Sequence, residues 1–201
     1  MSLPRLRRRA DAATFAAWRG AVAGVGLPAW FELGPVAGEG AVTHTTRGVT
    51  MPPLVGAAFR VHTDPQSTVL LAVRDGTSIT IACVAVGDDV VSALARRVEG
   101  DADTWFEVAL VPVERMVEEV LRWVPARPGG DATLDVRVVR RRDAVAGWME
   151  RWAATAGQGW AVTPPGTGPA EPAMLAARLR CALADSLAGH GAAALAAREA
   201  G

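Results

Sequence analysis

The stretch STVLLAVRDGTSITIACVAV, Ser67 to Val86, carries the clearest pattern in the chain. Val69, Leu71 and Val73 alternate with Thr68, Leu70 and Ala72. Ile79, Ile81 and Cys83 lead a second run into Val84-Ala85-Val86. Arg74-Asp75-Gly76 lies between the runs, and Asp-Gly supplies the positive φ that a hairpin turn needs. The stretch therefore predicts a β-hairpin. Its two strands are apolar on both alternating sets, so they are expected to be central in a sheet and buried on both faces.

Weaker patterns surround it. Asp11 is placed to cap a helix running to about Val22, with Phe15, Trp18 and Val22 on one face. AAFRVHT, Ala57 to Thr63, predicts a strand ending at the Asp64-Pro65 turn. Gly87-Asp88-Asp89 predicts a helix start, its acidic pair favoured by the helix dipole, with Val90, Val91, Leu94 and Val98 turned inward. TWFEVALVPV predicts a strand, and ERMVEEVLRWVP a helix with Val117, Val120, Leu121 and Val124 on its core face. TLDVRVV predicts a strand, and Asp143 a helix carrying Val145, Trp148, Met149 and Trp152 inward. GQGWAVTPP predicts a short edge strand closed by Pro164 and Pro165. Leu175, Leu179, Leu183 and Leu187 mark a last helix.

These elements define an α+β fold with a central, mostly antiparallel or mixed sheet flanked by helices. The expected organisation is one domain over residues 1–188, with an irregular Gly- and Pro-rich segment at 24–56 and a loose tail at 189–201. An offset of 27 residues lays ITIACVAVGDDVVSALARRV over FEVALVPVERMVEEVLRWVP, as duplication or convergence on a strand–helix pattern would.

Composition narrows the function classes. The 201 residues carry 21 basic and 21 acidic side chains, which argues against the basic excess of a nucleic-acid binder. Every basic residue except the three histidines is Arg; Lys, Asn and Tyr are absent. That bias matches GC-rich codons and points to an actinobacterial source. The start, MSLPRLRRRADAATF, has a basic run but no apolar signal core, since Asp11 and Arg19 interrupt it. No stretch approaches the about 18 apolar residues of a membrane span. A cytoplasmic protein with no membrane or nucleic-acid partner is expected. Cys83 and Cys181 both fall in apolar patterns and are expected as small buried hydrophobes.

Candidate chemistry is sparse. His44, His62 and His190 share no ligand spacing, and neither cysteine belongs to a C-x-x-C, so no metal site is expected. Nucleophile-elbow, phosphate-loop and dinucleotide signatures are missing, so no cofactor and no catalytic residue is assigned. The pairs Asp88-Asp89 and Glu118-Glu119 read as solvated helix faces, and the histidines as surface residues near element ends. Trp30-Phe31 and Trp105-Phe106 stand at loop–strand junctions; they are the candidate protein-binding residues, against a default of core packing.

The succession of an R-D-G hairpin, a helix ending in VLRWVPARPGG, and GWAVTPP before MLAARLRCAL resembles the EspG family of type VII secretion-associated proteins. The chain looks shorter than that family and has a Gly- and Pro-rich segment where a long helical stretch is expected. The resemblance implies a non-enzymatic cytosolic chaperone with a central antiparallel sheet between helical bundles. Its partner would be the helical tip of a secreted heterodimer. Two other readings stand beside it. One is an enzyme or small-molecule binder with a scattered site in which His44, Arg60, His62 or Asp75 meet at strand ends. The other is a structural or regulatory domain forming a homodimer through an exposed hairpin edge.

Overall fold

The computed structural model describes residues 6–27, 31, 50–99, 103–140, 146–155 and 159–163, with 174, 176–178, 180 and 181. Among these, eight strands form one sheet: β1 (Leu6–Ala10), β2 (Ser67–Asp75), β3 (Ser78–Val86), β4 (Val90–Glu99), β5 (Asp103–Pro112), β6 (Ala132–Arg140), β7 (Ala146–Ala154) and β8 (Ala161–Thr163). Their order across the sheet is β1-β5-β4-β3-β2-β6-β7-β8, and every neighbouring pair is antiparallel. Three helices join them: α1 (Ala12–Gly20), α2 (Pro53–Val61) and α3 (Met116–Leu121), the last entered through a 3-10 turn at Val113–Arg115. The fold is thus α+β with a central antiparallel sheet. Positions 174, 176–178, 180 and 181 are helical.

The predicted hairpin forms, with its turn displaced: Arg74 and Asp75, expected in the turn, are the last residues of β2. Val69 stands opposite Val84 and Leu71 opposite Ala82, all four buried. Asp75 pairs with Ser78, so the turn proper is Gly76-Thr77, and Gly76 takes the left-handed φ of 57° that favours glycine. The hairpin occupies the middle of the sheet between β4 and β6.

Two apolar layers cover the sheet. One face packs Leu71, Val84, Ala93, Val111, Val136 and Trp152 beneath Met116, Val120, Trp123 and Trp160. The other packs Cys83, Leu94, Val108 and Leu110 beneath Phe15 and Trp18 of α1, Phe31, and Val55, Ala58 and Phe59 of α2. Asp11 caps α1 as expected, accepting a hydrogen bond from the Thr14 amide at 2.7 Å.

Three predicted elements take the other form. Residues 57–61 are helical, not extended. Pro53 occupies the first turn of α2, where a proline is pre-organised for a helix, and Val55, Ala58 and Phe59 make a buried i, i+3, i+4 stripe. This helix also begins inside the expected irregular segment at 24–56, of which 28–30 and 32–49 lie outside the described residues.

Residues 90–99 form a strand, not a helix. Val91, Ala93 and Ala95 enter one layer while Leu94 enters the other. Burial on both faces removes the polar alternation that marks a strand, leaving apolar spacing that imitates a helix. Gly87-Asp88-Asp89 is instead a tight turn, with the Gly87 amide donating to the Val90 carbonyl at 2.9 Å. A Cβ at Gly87 would lie 3.3 Å from that oxygen, so the site favours glycine. The 27-residue internal match therefore pairs a strand with a helix over its second half and does not describe a structural repeat.

Residues 146–154 are likewise a strand. Met149 faces solvent, Trp152 is buried, and Glu150 is paired with Arg178 at 2.7 Å. Asp143, expected to cap a helix here, and Val145 lie outside the described residues. The GQGWAVTPP segment does supply the edge strand β8. No helix among the described residues is long and apolar enough to cross a membrane.

Candidate functional site

Four places gather polar or aromatic side chains. The first lies beneath α2. His62, at the helix C-cap, sends Nε2 to within 3.1 Å of Ser92 Oγ on β4, and its Nδ1 is 3.8 Å from Cys83 Sγ on β3. Burial drives the imidazole down from its ordinary 6.5 to about 3, against a hydrogen bond toward the Ser92 backbone that works the other way. Burial also pushes the Cys83 thiol up to about 12. A nucleophilic cysteine needs a thiolate and access; this trio has neither and acts as a sealed polar tie between helix and sheet. His62 is thus a core residue, not the surface histidine expected. Cys83 is buried as expected, but Cys181 is exposed.

The second is a charged and aromatic cluster along β1, β5 and α3. Arg7 donates to Glu107 Oε1 at 2.6 Å and to Glu119 Oε2 at 2.7 Å. Arg122 donates to the same two carboxylates. Glu107 is only 1% exposed and Glu119 4%. Burial alone would pull the Arg7 guanidinium down, but its hydrogen bonds to Glu119 and Glu107 hold it above its ordinary value. Arg9 lies over Trp105 at 4.5 Å and Arg122 over Trp123 at 3.7 Å, with the two indoles 6.2 Å apart. Glu119 is therefore not part of a solvated helix face. Each of its oxygens already receives a guanidinium, so the cluster closes the core edge rather than presenting a free acid or base.

The third is the tip of the hairpin. The Asp75 carboxylate accepts the Gly130 amide at 3.1 Å and the Gly129 amide at 3.4 Å. Trp160 Nε1 donates to the Pro125 carbonyl at 2.8 Å. The R-D-G turn thus meets A-R-P-G-G, and the G-W-A-V strand meets W-V-P: segments that carry the family resemblance are in contact here. Beside this corner, Ala72, Arg74, Ile79, Thr133, Asp135 and Arg151 line a shallow depression of about 360 Å³.

The fourth is the sheet face that continues from that depression. Register places Arg74 beside Thr133, Ala72 beside Asp135, and Leu70 beside Arg137; Arg151 and Met149 follow on β7. Among the described residues, helices α1 and α2 lie over the other half of this face, on β4, β5 and β1. Arg74, Thr133, Arg137, Met149 and Arg151 are exposed, Met149 at 62%. Asp135 and Arg151 pair at 2.6 Å, which raises the Arg151 guanidinium above its ordinary value by hydrogen bond and charge.

The sequence candidates do not share one surface. Trp30 lies outside the described residues. Phe31 is 2% exposed and packs 6.0 Å from Phe15 and 6.4 Å from Phe106. Phe106 belongs to that layer, half-buried and stacked on Phe15 at 4.4 Å. Trp105, its neighbour in the chain, points to the other layer, as successive strand residues must.

The scattered-site residues do not converge either. His62 binds Ser92, beside Ala85, whereas Asp75 stands beside Ser78, roughly 23 Å away at the rise of a strand. His44 lies outside the described residues. Among the described residues, no three His, Cys, Asp or Glu side chains gather to hold a metal ion. Sequence reading missed Glu107, Arg7 and Met149, whose roles arise only from strand pairing. No protein-family model matches the chain, and no curated protein is similar to it.

Proposed function

We propose that this is a non-enzymatic binding protein that holds a protein partner against the face of β2, β6 and β7 that neither α1 nor α2 covers. Met149 carries the reading. Solvated antiparallel faces are common and usually polar, but here a long, adaptable apolar side chain stands out from the sheet with Arg137 directly opposite it and Arg151 two residues on. Methionine suits surfaces that accommodate a partner's shape. The sealed His62 and Cys83 and the ion-paired Glu107 and Glu119 support binding over catalysis.

The EspG resemblance supplies the partner class: the helical tip of a secreted heterodimer, held soluble by a cytoplasmic chaperone of a type VII secretion system. The exposed side chains of β2, β6 and β7 form an antiparallel platform that suits a helix pair laid across it. The test is a pull-down from the source lysate with tagged full chain, read by mass spectrometry. Near-stoichiometric recovery of a small helical secreted pair, lost in M149E/R137E, is expected. Equal recovery by that variant moves the contact elsewhere; no such pair at all overturns the chaperone reading.

A further inference from the structure

We propose that the outer edge of β1 is a second docking site, which takes an acidic extended peptide as an added strand. Among the described residues, β1 is the last strand on its side of the sheet and pairs with β5 alone, so alternate N–H and C=O groups along Leu6–Ala10 face outward. Arg7, Arg8 and Arg9 are all exposed on it, and the Arg9 side chain is 70% accessible.

The two sheet edges differ in a way that matters here. β8 is three residues long, and Pro164-Pro165 follow it directly in the sequence. Short length and proline are devices that stop strand addition. β1 is longer, contains no proline and is anchored: Arg7 bridges Glu107 and Glu119, and Arg9 stacks on Trp105. An anchored edge loses little order when a strand adds to it.

Charge selects the occupant. Arg7 and Arg9 are matched by Glu107 and Glu119, and a second copy of β1 would bring another Arg8 rather than an acid to this edge, so charge does not favour self-pairing. Arg8 turns to the face away from Glu107, and its charge stands ready for a carboxylate on the incoming strand. An acidic strand satisfies both the charge and the unpaired backbone; main-chain bonds give such strand addition its affinity. A polyanion such as nucleic acid would satisfy only the charge.

The test uses the full chain and three fluorescein-labelled probes of equal length: a Glu/Val-alternating peptide, a Glu/Pro-alternating peptide and a single-stranded oligonucleotide. Anisotropy should show the Glu/Val peptide binding, with at least tenfold weaker binding to the R8E variant. The Glu/Pro peptide, equal in charge but unable to pair as a strand, should bind at least tenfold more weakly. Hydrogen exchange should slow at β1 amides when the Glu/Val peptide is bound. No binding by the Glu/Val peptide, equal binding by the two peptides, equal binding to R8E, or tighter binding of the oligonucleotide would each overturn the proposal. M149E should bind the Glu/Val peptide like the parent, which separates this edge from the sheet-face site.

Discussion

Arg7 Nη2 lies 2.7 Å from Glu119 Oε2, joining the first strand to the last described turn of α3 across 112 residues of chain. The same two buried carboxylates, Glu107 and Glu119, are shared with Arg122. Arg9 Nε adds a longer pair to Glu107 at 3.6 Å, so two acids and three guanidiniums close the core where apolar side chains give out. Arg151 and Asp135 are also paired, but at the surface.

That contrast predicts unequal costs. Arg122→Ala leaves Glu119 on Arg7, and Glu107 on Arg7 and the longer 3.6 Å pair with Arg9, and removes the cation over Trp123; it should cost about 2–4 kcal/mol. Arg151→Ala should cost far less than Arg122→Ala, since exposed pairs contribute little. Urea unfolding of both variants measures this. Equal losses would mean that the buried cluster is no more committed than the surface pair.

His62 predicts a pH dependence. The unfolded chain takes up a proton at this imidazole near pH 6.5, the folded chain only near pH 3. Between those values the unfolded state holds more protons, so stability falls as pH falls, by up to about 1.4 kcal/mol per pH unit from this group. Above about pH 6.5 its contribution is constant. The urea midpoint should therefore decline from pH 6.5 downward, and His62→Gln should flatten the decline above the carboxylate range. Identical slopes for parent and variant would contradict a sealed imidazole.

The two thiols should react differently. Cys83 is buried with its pKa raised to about 12, whereas Cys181 is exposed. A disulfide reagent added to native protein should modify Cys181 within minutes and reach Cys83 only in denaturant. Rapid reaction of both would show that α2 does not stay closed over the sheet.

Leu71 is wholly buried at the centre of the hairpin and Met149 is the most exposed large apolar side chain of those described. Leu71→Ala should cost about 2–5 kcal/mol by transfer and cavity terms. Leu71→Asp should abolish soluble expression, because an unpaired carboxylate would be buried. Met149→Ala should fall within about 0.5 kcal/mol of the parent in thermal unfolding. A large loss for Met149→Ala would place it in packing, not binding.

Local chemistry determined several elements outright. Gly76, with its positive φ between two apolar runs, and the Asp11 cap before Phe15 and Trp18 each act over a few residues. Their outcome does not depend on what packs against them. The Val-rich alternation of Leu134, Val136 and Val138 is of the same kind, and all three are buried.

Tertiary pairing decided the rest. Val90–Glu99 and Ala146–Ala154 carry apolar residues at spacings that either a helix or a strand can use. Neighbours β3 and β5, and β6 and β8, supplied backbone partners on both sides, and both became strands. Glu119 reads as solvated until β1 folds across β5 and brings Arg7 to it. His62 reads as exposed until α2 lies over Ser92. Met149 reads as inward until its strand turns the other face to the core. In each case the deciding contacts join residues far apart in the chain, and a pattern read over one or two turns holds no information about them.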